Sequence, residues 1–269
     1  MSPKIIITGS SGFIASELTK RFENPFLISR SFCEKNNFYQ CDLSIKKDCN
    51  ALIAKIKPDI VFHLAALVNP QLNEDNPTQS KTSNYEATKN LIDSVDHENC
   101  HIIFLSTDKI YGDKLKTSKE NENINPKFLY AKYKFDCENL IRLKLKKFHI
   151  LRAPIIHGRG NPNSNSIIDY AIQEVLAGNK FTLFKNVYRS FVEVDQLVDI
   201  LVMLANDTSF GIYNIGTNPM SYFDRASFLL EKINPNLAIN LNSVLGDAQP
   251  LFQGLDSSKF SSKHNIKFI

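Results

Sequence analysis

Residues 8–15 read Thr8-Gly9-Ser10-Ser11-Gly12-Phe13-Ile14-Ala15, and they join two segments whose hydrophobic patterns differ. The preceding segment, Lys4–Thr8, is an apolar run typical of a buried strand. The following segment repeats apolar residues at four-residue spacing, which predicts a helix over Phe13–Phe22. A glycine-rich turn between a buried strand and a helix suits the binding of an anion at the helix N-terminus.

Three small residues give this turn its chemistry. Gly9 lets the chain turn sharply, Gly12 lets the backbone approach a pyrophosphate, and Ala15 permits close packing of the helix on the sheet. The pattern therefore predicts a dinucleotide site, with a structural turn that binds no ligand as the alternative. The predicted contacts in this turn are Gly9, Ser11, Gly12, Phe13 and Ile14.

The alternation of apolar runs and helical patterns continues along the chain. Further strands are predicted at Pro25–Ser29, Phe38–Gln40, Asp59–Leu64, His101–Ser106 and His149–Arg152. Helices are predicted at Ile45–Ile56, with Ser44 as its cap and Pro58 as its stop, at Ser83–Val95 and at Leu129–Leu145. Continuous apolar strands separated by single helices indicate parallel β-α-β units. With right-handed crossovers, they predict an α/β fold with a Rossmann-type doubly wound parallel sheet.

The alternation of apolar runs and helical patterns becomes less regular after Pro154. A polar loop is predicted over residues 161–166. Later strands are predicted at Phe181–Phe184, Phe191–Val194 and Ile212–Ile215, and helices at Ile167–Ala177, Asp195–Leu204 and Tyr222–Ile233, the last capped by Ser221. We therefore expect a dinucleotide-binding domain over residues 1–153, with returning strands around 187–216. Residues 154–269 would form mostly a small C-terminal substrate lobe.

Composition and charge argue against several classes of protein. Apolar residues make up 43% of the 269 residues, and the formal charge is +4. This charge predicts no nucleic-acid partner, and no apolar run approaches the roughly 18 residues that a membrane helix needs. An odd number of cysteines without metal-ligand spacing predicts reduced thiols, no metal site and a cytoplasmic location. Those cysteines are Cys33, Cys41, Cys49, Cys100 and Cys137.

The end of the second predicted strand bears on the choice of cofactor. An acidic residue there would bind the ribose hydroxyls of NAD, whereas an arginine accommodates the additional phosphate of NADP. The segment reads Leu27-Ile28-Ser29-Arg30-Ser31 and contains no acid. Arg30 therefore favours NADP, with NAD as a possibility, and a solvated loop charge is the alternative reading of Arg30.

Motifs along nearly the whole chain carry a resemblance to a known family. They are Thr8–Ala15, Cys41-Asp42-Leu43, His63-Leu64-Ala65-Ala66, Asn84–Leu91, Ser106-Thr107-Asp108-Lys109-Ile110-Tyr111-Gly112, Tyr130–Lys134, Leu151–Gly158, Arg189–Asp195 and Tyr213-Asn214-Ile215-Gly216. In order and spacing they resemble the extended short-chain dehydrogenases/reductases of the NAD-dependent epimerase/dehydratase family. The S-T-D segment and the closing Leu255-Asp256-Ser257-Ser258-Lys259 are most similar to nucleotide-sugar reductases of the dTDP-4-dehydrorhamnose reductase type.

The resemblance and the chemistry agree on three catalytic residues. Tyr130 and Lys134 lie four residues apart on a predicted helix and so share a face. A neighbouring ammonium and a positive nicotinamide ring would lower the pKa of the phenol from its usual value of about 10, and Tyr130 would donate a proton to a carbonyl oxygen. Lys134 would also hold the nicotinamide ribose, and the Thr107 hydroxyl would bind the substrate oxygen. Tyr133 lacks a lysine four residues later and is the decoy.

Other roles follow from the resemblance alone. Asp42 would bind the adenine amino group, Leu43 would be a further cofactor contact, and Ala65 and Ala66 would leave room for the adenosine ribose. Arg189 would bind the substrate diphosphate, for which a guanidinium has suitable geometry, with a salt bridge inside the lobe as the alternative. His63 is interpreted as a core histidine at a strand end, and Asn84 as a residue that shapes the site.

The residues after Thr107 limit which of the family's reactions this chain could catalyse. Family members that dehydrate sugars carry an Asp-Glu pair where this chain has Asp108-Lys109, and those that form GDP-fucose carry a cysteine in place of Lys109. The 4-epimerases carry an asparagine where this chain has Ile155. Subtraction favours a plain ketone reductase, or an alcohol dehydrogenase by reversal, and the resemblance implies that the keto group is at carbon 4 of a nucleotide-linked sugar. Asp108 would orient or protonate the substrate, or it would lie solvated in its loop. Gln249-Pro250, where related reductases have Arg-Pro, departs from the pattern and weakens the expected grip on a diphosphate.

Two alternatives stay open. The chain could be an epimerase or dehydrogenase acting on the same substrates, or a non-catalytic NADP-binding regulatory subunit that keeps the fold. A homodimer through the helices Ser83–Val95 and Leu129–Leu145 is a further possibility, although Leu140, Ile141 and Leu145 could instead serve the core.

Overall fold

The computed structural model describes residues 2–32, 36–114, 116–158, 164, 166–246 and 251–269. The strands are β1 (Ile5–Thr8), β2 (Phe26–Ser29), β3 (Phe38–Gln40), β4 (Ile60–His63), β5 (His101–Thr107), β6 (Phe148–Ala153), β7 (Ile155–His157), β8 (Phe181–Phe184), β9 (Val187–Arg189), β10 (Phe191–Glu193), β11 (Gly211–Asn214), β12 (Met220–Ser221), β13 (Leu241–Val244) and β14 (Leu251–Gln253). The α-helices are α1 (Phe13–Thr19), α2 (Lys46–Ile56), α3 (Pro70–Asp75), α4 (Pro77–Lys81), α5 (Ala87–Ser94), α6 (Leu129–Lys144), α7 (Ile167–Leu176), α8 (Val194–Leu204), α9 (Tyr222–Ile233) and α10 (Ser258–His264). A π-helical segment covers Thr82–Glu86, and 3-10 turns cover Asp108–Tyr111 and Pro235–Asn240.

The chain divides into two compact units, and the first comprises Met1–Ile110, Asn125–Arg152 and Val198–Ile212. Its sheet has the strand order β11-β6-β5-β4-β1-β2-β3. Strand β1 pairs in parallel with β2 and β4, β2 pairs in parallel with β3, and β4 with β5. The order 3-2-1-4-5-6 within this sheet is that of the Rossmann fold, in which ligands bind at the carboxyl ends of the strands. The predicted α/β doubly wound sheet is therefore confirmed.

The core of the first unit follows directly from its apolar strands. Ile6 and Ile7 in β1 are fully buried, and burial of each such side chain contributes about 1.5–3 kcal/mol. Four of the cysteines are buried free thiols, namely Cys41, Cys49, Cys100 and Cys137, while Cys33 lies outside the described residues.

The second unit comprises Tyr111–Ile124, Ala153–Leu197 and Tyr213–Ile269. Its strands form small sheets with the orders β10-β7, β12-β9-β14 and β13-β8. Helices α7 and α9 bury Ile172 and Leu230 in a shared apolar core. The Ser221 hydroxyl accepts a hydrogen bond from the Asp224 N–H at 3.0 Å, so the predicted cap of α9 is present.

Several elements differ from the sequence predictions. The expected helix over Ser83–Val95 is present as the π-helical segment followed by α5. The two short helices before it, α3 and α4, were not predicted, and proline occupies the first turn of each. Ser44 does not cap α2, because its hydroxyl donates to the Asp42 carboxylate at 2.7 Å and the N-cap position falls on Ile45. The short strands β7, β9, β12, β13 and β14 of the second unit were not predicted. The expected polar loop over residues 161–166 lies largely outside the described residues.

The apolar residues of α6 that could have served a dimer belong to the core of the chain itself. Ile141 and Leu145 are buried, and Leu140 packs against the same cluster. Leu143 projects from this helix with 83% of its surface exposed. A homodimer therefore stays a prediction. None of the described helices has both the length and the apolarity that are needed to cross a bilayer.

Candidate active site

The glycine turn after β1 is held in place by backbone hydrogen bonds. Gly9 has φ of +68°, a left-handed conformation that favours glycine. The Gly12 N–H donates to the Gly9 carbonyl at 2.8 Å, and the Ser10 N–H donates to the Ile28 carbonyl at 3.2 Å. Helix α1 begins directly after Gly12 without a side-chain cap, so the turn delivers the chain to a helix N-terminus as the sequence predicts.

The loop after β4 closes on this turn from one side. A Cβ atom on Gly9 would lie 2.8 Å from Ala65 Cα and 2.9 Å from Ala65 N, closer than real Cβ contacts. The Thr8 hydroxyl accepts hydrogen bonds from the Leu64 and Ala65 N–H groups, each at 3.1 Å, and fixes this approach. Ala65 therefore supports the glycine turn in addition to its predicted place beside a ribose.

The residues of the turn fit a dinucleotide phosphate. Within the described residues, the buried Ser10 hydroxyl has no hydrogen-bond partner, so the turn holds an unused polar group next to the start of α1. Gly12 and Ser11 are exposed, and a Cβ on Gly12 would meet the Gly9 carbonyl oxygen at 3.1 Å. A buried polar atom without a partner is costly unless a ligand or water completes it. Gly9, Ser11, Gly12, Phe13 and Ile14 are thus grouped as expected, and their contact with a cofactor stays a prediction.

Arg30 follows β2 and is exposed. Its guanidinium donates to the Ser83 hydroxyl at 3.3 Å. The hydroxyls of Ser11 and Ser29 are hydrogen-bonded to each other at 3.2 Å. The three hydroxyls and the guanidinium are donors that suit a phosphate.

Two of the expected cofactor contacts, Asp42 and Leu43, follow β3. The Asp42 carboxylate accepts hydrogen bonds from the N–H and hydroxyl of Ser44, and its side chain remains partly exposed. Leu43 is buried in the apolar core, so any contact that it makes with a cofactor would come from its backbone.

Lys134 is buried on α6 and points to the end of β5. Its ammonium donates to the Leu105 carbonyl at 2.8 Å and lies 4.4 Å from the centre of the Phe104 ring. It also lies 5.9 Å from the centre of the Tyr130 ring, one helical turn earlier. Burial lowers the pKa of Lys134 from 10.5 to about 8, and the Cys137 and Glu138 side chains oppose this shift.

The pKa of the Tyr130 phenol is raised rather than lowered. Burial of the phenol is the main cause, and the nearby negative charge of Asp108 adds to it. The sequence analysis expected Lys134 and a positive nicotinamide ring to lower this pKa, but in the protein by itself desolvation and Asp108 raise it. The phenol of Tyr130 is consequently protonated at neutral pH.

Thr107 and Asp108 complete the cluster at the carboxyl end of β5. The Thr107 hydroxyl lies 3.2 Å from an Asp108 carboxylate oxygen, and it accepts a hydrogen bond from the Lys109 N–H at 3.3 Å. Both side chains are buried. Thr107, Asp108, Tyr130 and Lys134 therefore gather at one edge of the sheet within the first unit.

His63 is a core residue, as interpreted from the sequence. It is buried, and its ring nitrogens are hydrogen-bonded to the Thr8 and Thr88 hydroxyls, each at 2.8 Å. Burial lowers its pKa from 6.5 to about 3, with a smaller contribution from Lys134. The imidazole is therefore neutral and joins β4 to its neighbours.

Arg189 lies in the second unit, in β9. Strand β14 pairs with β9 and places Gln253 opposite Arg189. The Arg189 Nε atom is buried without a hydrogen-bond partner among the described residues, which leaves a donor available for an acidic ligand. Contact of Arg189 with a diphosphate stays a prediction, and Gln249-Pro250 lies outside the described residues.

The sequence analysis missed a buried ionic group next to the catalytic cluster. Glu138 on α6 pairs with Arg152 on β6 at 2.7 Å, and it accepts a hydrogen bond from the Ser106 hydroxyl at 2.5 Å. Glu138 lies four residues after Lys134 and eight after Tyr130, so its helical spacing was a usable signal. Its partners on two strands could not be found from spacing alone.

In the part of the chain that is described, no cluster of histidine, cysteine and acidic residues could hold a metal ion.

Comparison with known proteins identifies the family. The model of the NAD dependent epimerase/dehydratase family matches residues 5–216. The chain belongs to this family. One relative is methionine adenosyltransferase 2 subunit beta of Xenopus laevis, which is 24% identical over 87% of this chain and 73% of that protein. Another is dTDP-D-glucose 4,6-dehydratase of Dictyostelium discoideum, which is 27% identical over 80% of this chain and 58% of that protein.

Solved structures of this architecture cover nearly the whole chain. A dTDP-4-dehydrorhamnose reductase from Bacillus anthracis in complex with NADP superimposes with a TM-score of 0.81 and 18% identity, over 100% of this chain and 94% of that one. UDP-glucose 4-epimerase of Thermotoga maritima with UDP-glucose gives a TM-score of 0.81 and 20% identity, over 96% and 91% of the two chains. These similarities show a shared fold.

Proposed function

We propose that this chain is an NAD(P)-dependent oxidoreductase that reduces a keto group, at carbon 4, of a nucleotide-linked sugar. The observation that carries the proposal is the cluster at the carboxyl end of β5, where a protonated phenol, a buried ammonium and a buried hydroxyl meet. These groups belong to Tyr130, Lys134 and Thr107. Parallel α/β sheets bind their ligands at this edge.

The glycine turn supports dinucleotide binding in this proposal. Gly9 and Gly12 let the backbone of the turn approach a pyrophosphate at the start of α1, and the unpartnered Ser10 hydroxyl adds a donor. Arg30 with its serine neighbours favours NADP over NAD. A bound nicotinamide dinucleotide supplies the hydride, or accepts it in the reverse direction.

Tyr130 acts as the acid in the direction of reduction. Because burial and Asp108 raise its pKa, the phenol carries its proton at neutral pH and can donate it to the carbonyl oxygen. The Thr107 hydroxyl orients the same oxygen by hydrogen bonding. In the reverse direction the Tyr130 oxygen accepts the proton of the substrate hydroxyl.

Lys134 stabilises negative charge as it develops on the Tyr130 oxygen. Its ammonium lies on the same helical face and is fixed by the Leu105 carbonyl, so little reorganisation is needed during the proton transfer. Its remaining N–H donors suit the hydroxyls of a nicotinamide ribose.

The substrate class rests on the family and on single residues. Arg189, with its unpartnered buried Nε, is the proposed diphosphate ligand. Asp108 is followed by Lys109 rather than by a glutamate, so the chain lacks the acid–base pair that its dehydratase relatives carry at this point. The lack of this pair favours reduction without elimination of water. An epimerase or dehydrogenase acting on the same substrates is the alternative within enzymes.

A second candidate function is a dinucleotide-binding subunit without turnover. It is favoured by the relatives named methionine adenosyltransferase 2 subunit beta, which include the Xenopus laevis protein that aligns with 87% of this chain. The two candidates differ in whether Tyr130 has a chemical task.

One substitution with a matched control tests the proposal. The purified protein is incubated with NADPH or NADH and a panel of nucleotide-linked keto sugars while cofactor oxidation is followed. We expect turnover of at least one sugar and a loss of kcat of about 100-fold or more in Tyr130→Phe. The control Tyr133→Phe removes a hydroxyl from the same helix and should retain kcat. Both variants should bind the cofactor with the wild-type dissociation constant.

Two outcomes would contradict the reductase. Unchanged kcat in Tyr130→Phe would remove the assigned acid. Cofactor binding without turnover of any sugar in the panel would support the subunit.

A further inference from the structure

A buried ionic group links the helix that carries Tyr130 to two strands of the sheet. Arg152 Nη2 donates to Glu138 Oε2 at 2.7 Å, and Arg152 Nε lies 3.1 and 3.2 Å from the two carboxylate oxygens. The Ser106 hydroxyl donates to Glu138 Oε1 at 2.5 Å. All three side chains are almost completely buried. This network joins α6 to β5 and β6.

Lys134, Glu138 and Arg152 are buried charged residues of the same region, which is called the buried charge layer. Glu138 follows it by one helical turn, so the carboxylate and the ammonium lie on the same face of α6. Lys134 donates to the Leu105 carbonyl, and Glu138 accepts from Ser106, the next residue of β5. The layer therefore contains two cations, Lys134 and Arg152, and one anion.

We propose that Glu138 is a positioning residue that keeps Lys134 in its ammonium form and fixes α6 against the end of β5. The inference rests on the proposed function, because it assigns Glu138 a task only through Lys134 and Tyr130. Glu138 makes no contact with substrate or cofactor in this scheme.

The groups around Lys134 leave Glu138 as its counter-charge. Burial lowers the pKa of Lys134 to about 8, and Cys137 and Glu138 raise it. The Cys137 thiol has a pKa raised by burial to about 12 and is neutral near pH 7. His63, which faces Lys134 from β4, has a pKa lowered to about 3 and is also neutral. Asp108, from the 3-10 turn after β5, acts on Tyr130.

Removing the charge of Glu138 should therefore have a specific effect. Glu138→Gln keeps the size of the side chain and an oxygen acceptor, but it leaves Lys134 and Arg152 as neighbouring buried cations. Like charges in a medium of low dielectric constant disfavour the charged form, so the ammonium of Lys134 loses its proton at lower pH. Arg152→Gln has the opposite effect, because it frees the Glu138 carboxylate to act on Lys134.

The first test measures the Lys134 pKa directly, without cofactor or substrate. The full chain is labelled with 13Cε-lysine, its signals are titrated by NMR, and Lys134→Gln identifies the resonance by its loss. We expect a pKa of about 8 in the wild type. We expect a decrease of at least one unit in Glu138→Gln, which is a tenfold change in the dissociation constant, an increase in Arg152→Gln, and no change in the control Glu231→Gln on α9.

The second test is the pH profile of kcat/KM. The alkaline limb should move to lower pH in Glu138→Gln, so that activity lost at pH 8 returns at pH 6. Glu138→Asp keeps the charge and should restore the wild-type profile. Damage to the fold alone would lower activity at every pH.

The outcomes separate the inference from the proposed function. A Lys134 pKa that is the same in wild type and Glu138→Gln would overturn the inference even if the wild type turns over its substrate. A shifted pKa in a protein without turnover would retain the role of Glu138 as counter-charge and remove the reductase. If Glu138→Gln does not fold, Arg152→Gln decides by the sign of its shift, and a decrease there would overturn the inference.

Discussion

Replacement of Gly9 by alanine tests how the glycine turn is built. The new Cβ would lie 2.8 Å from Ala65 Cα and 2.9 Å from Ala65 N, and both are backbone atoms that cannot rotate away. A left-handed φ of +68° costs an alanine about 1–2 kcal/mol, and a collision that shifts the backbone costs about 1–3 kcal/mol more. The free energy of unfolding should therefore fall by about 2–5 kcal/mol, the sum of these two ranges.

Gly178→Ala is the matched control for this substitution. Gly178 also has a left-handed φ, +84°, but a Cβ there would meet no heavy atom within 4 Å. It should cost only the conformational part, about 1–2 kcal/mol. The difference between the two variants isolates the collision with Ala65.

Urea unfolding is the assay, followed by circular dichroism because the chain contains no tryptophan. If the two units unfold in separate steps, the Gly9→Ala loss should fall on the first and the Gly178→Ala loss on the second. Calorimetric titration with NADPH should show weaker binding in Gly9→Ala and unchanged binding in Gly178→Ala. Equal losses of stability in the two variants would refute the assigned contact with Ala65.

Two further predictions concern the cofactor and pH. Arg30→Ala should raise the dissociation constant of NADPH by about tenfold or more with little effect on NADH, since a charge-assisted hydrogen bond contributes about 1.5–3 kcal/mol. The control Arg142→Ala, in the last turn of α6, should leave both dissociation constants unchanged. A preference for NADH that persists in Arg30→Ala would remove the argument for NADP. His63 has a folded pKa of about 3 against 6.5 when unfolded, so the unfolded chain binds more protons between these values and stability should fall as the pH drops from 6.5. In His63→Gln the urea midpoint should fall less between pH 7 and pH 5 than in the wild type, and an equal decrease would show that His63 does not contribute to the acid lability.

Local patterns predicted the elements that carry the site. The strand–turn–helix unit around Gly9 and Gly12 is visible in the sequence because its hydrophobic period changes at the turn. The Tyr130–Lys134 pair follows from helical spacing, and the Ser221 cap follows from the side-chain chemistry of helix termini. Each of these features depends on residues within about one helical turn of one another.

Features that depend on distant residues were not predicted. The pKa of Tyr130 rises mainly because the surrounding fold desolvates the phenol, with Asp108 adding to it, and no local pattern reports that environment. Glu138 finds Arg152 and Ser106 on two strands, 14 and 32 residues away. A local prediction also failed at Ser44, which was expected to cap a helix, because its hydroxyl donates to Asp42 two residues earlier. Asn69 and Asn76 cap α3 and α4, and this local signal was not used in the sequence analysis.

The π-helical segment Thr82–Glu86 makes this part of the chain sensitive to changes in length. Its Asn84 side chain accepts from the Leu67 N–H at 2.8 Å and donates to Asn73 Oδ1 at 2.8 Å. A π-helical turn contains one residue more than an α-helical turn, and each α-helical residue rotates the chain by about 100°. Deletion of a single residue here would turn Asn84 away from both partners, so homologous chains should accept substitutions in this segment far more readily than gaps.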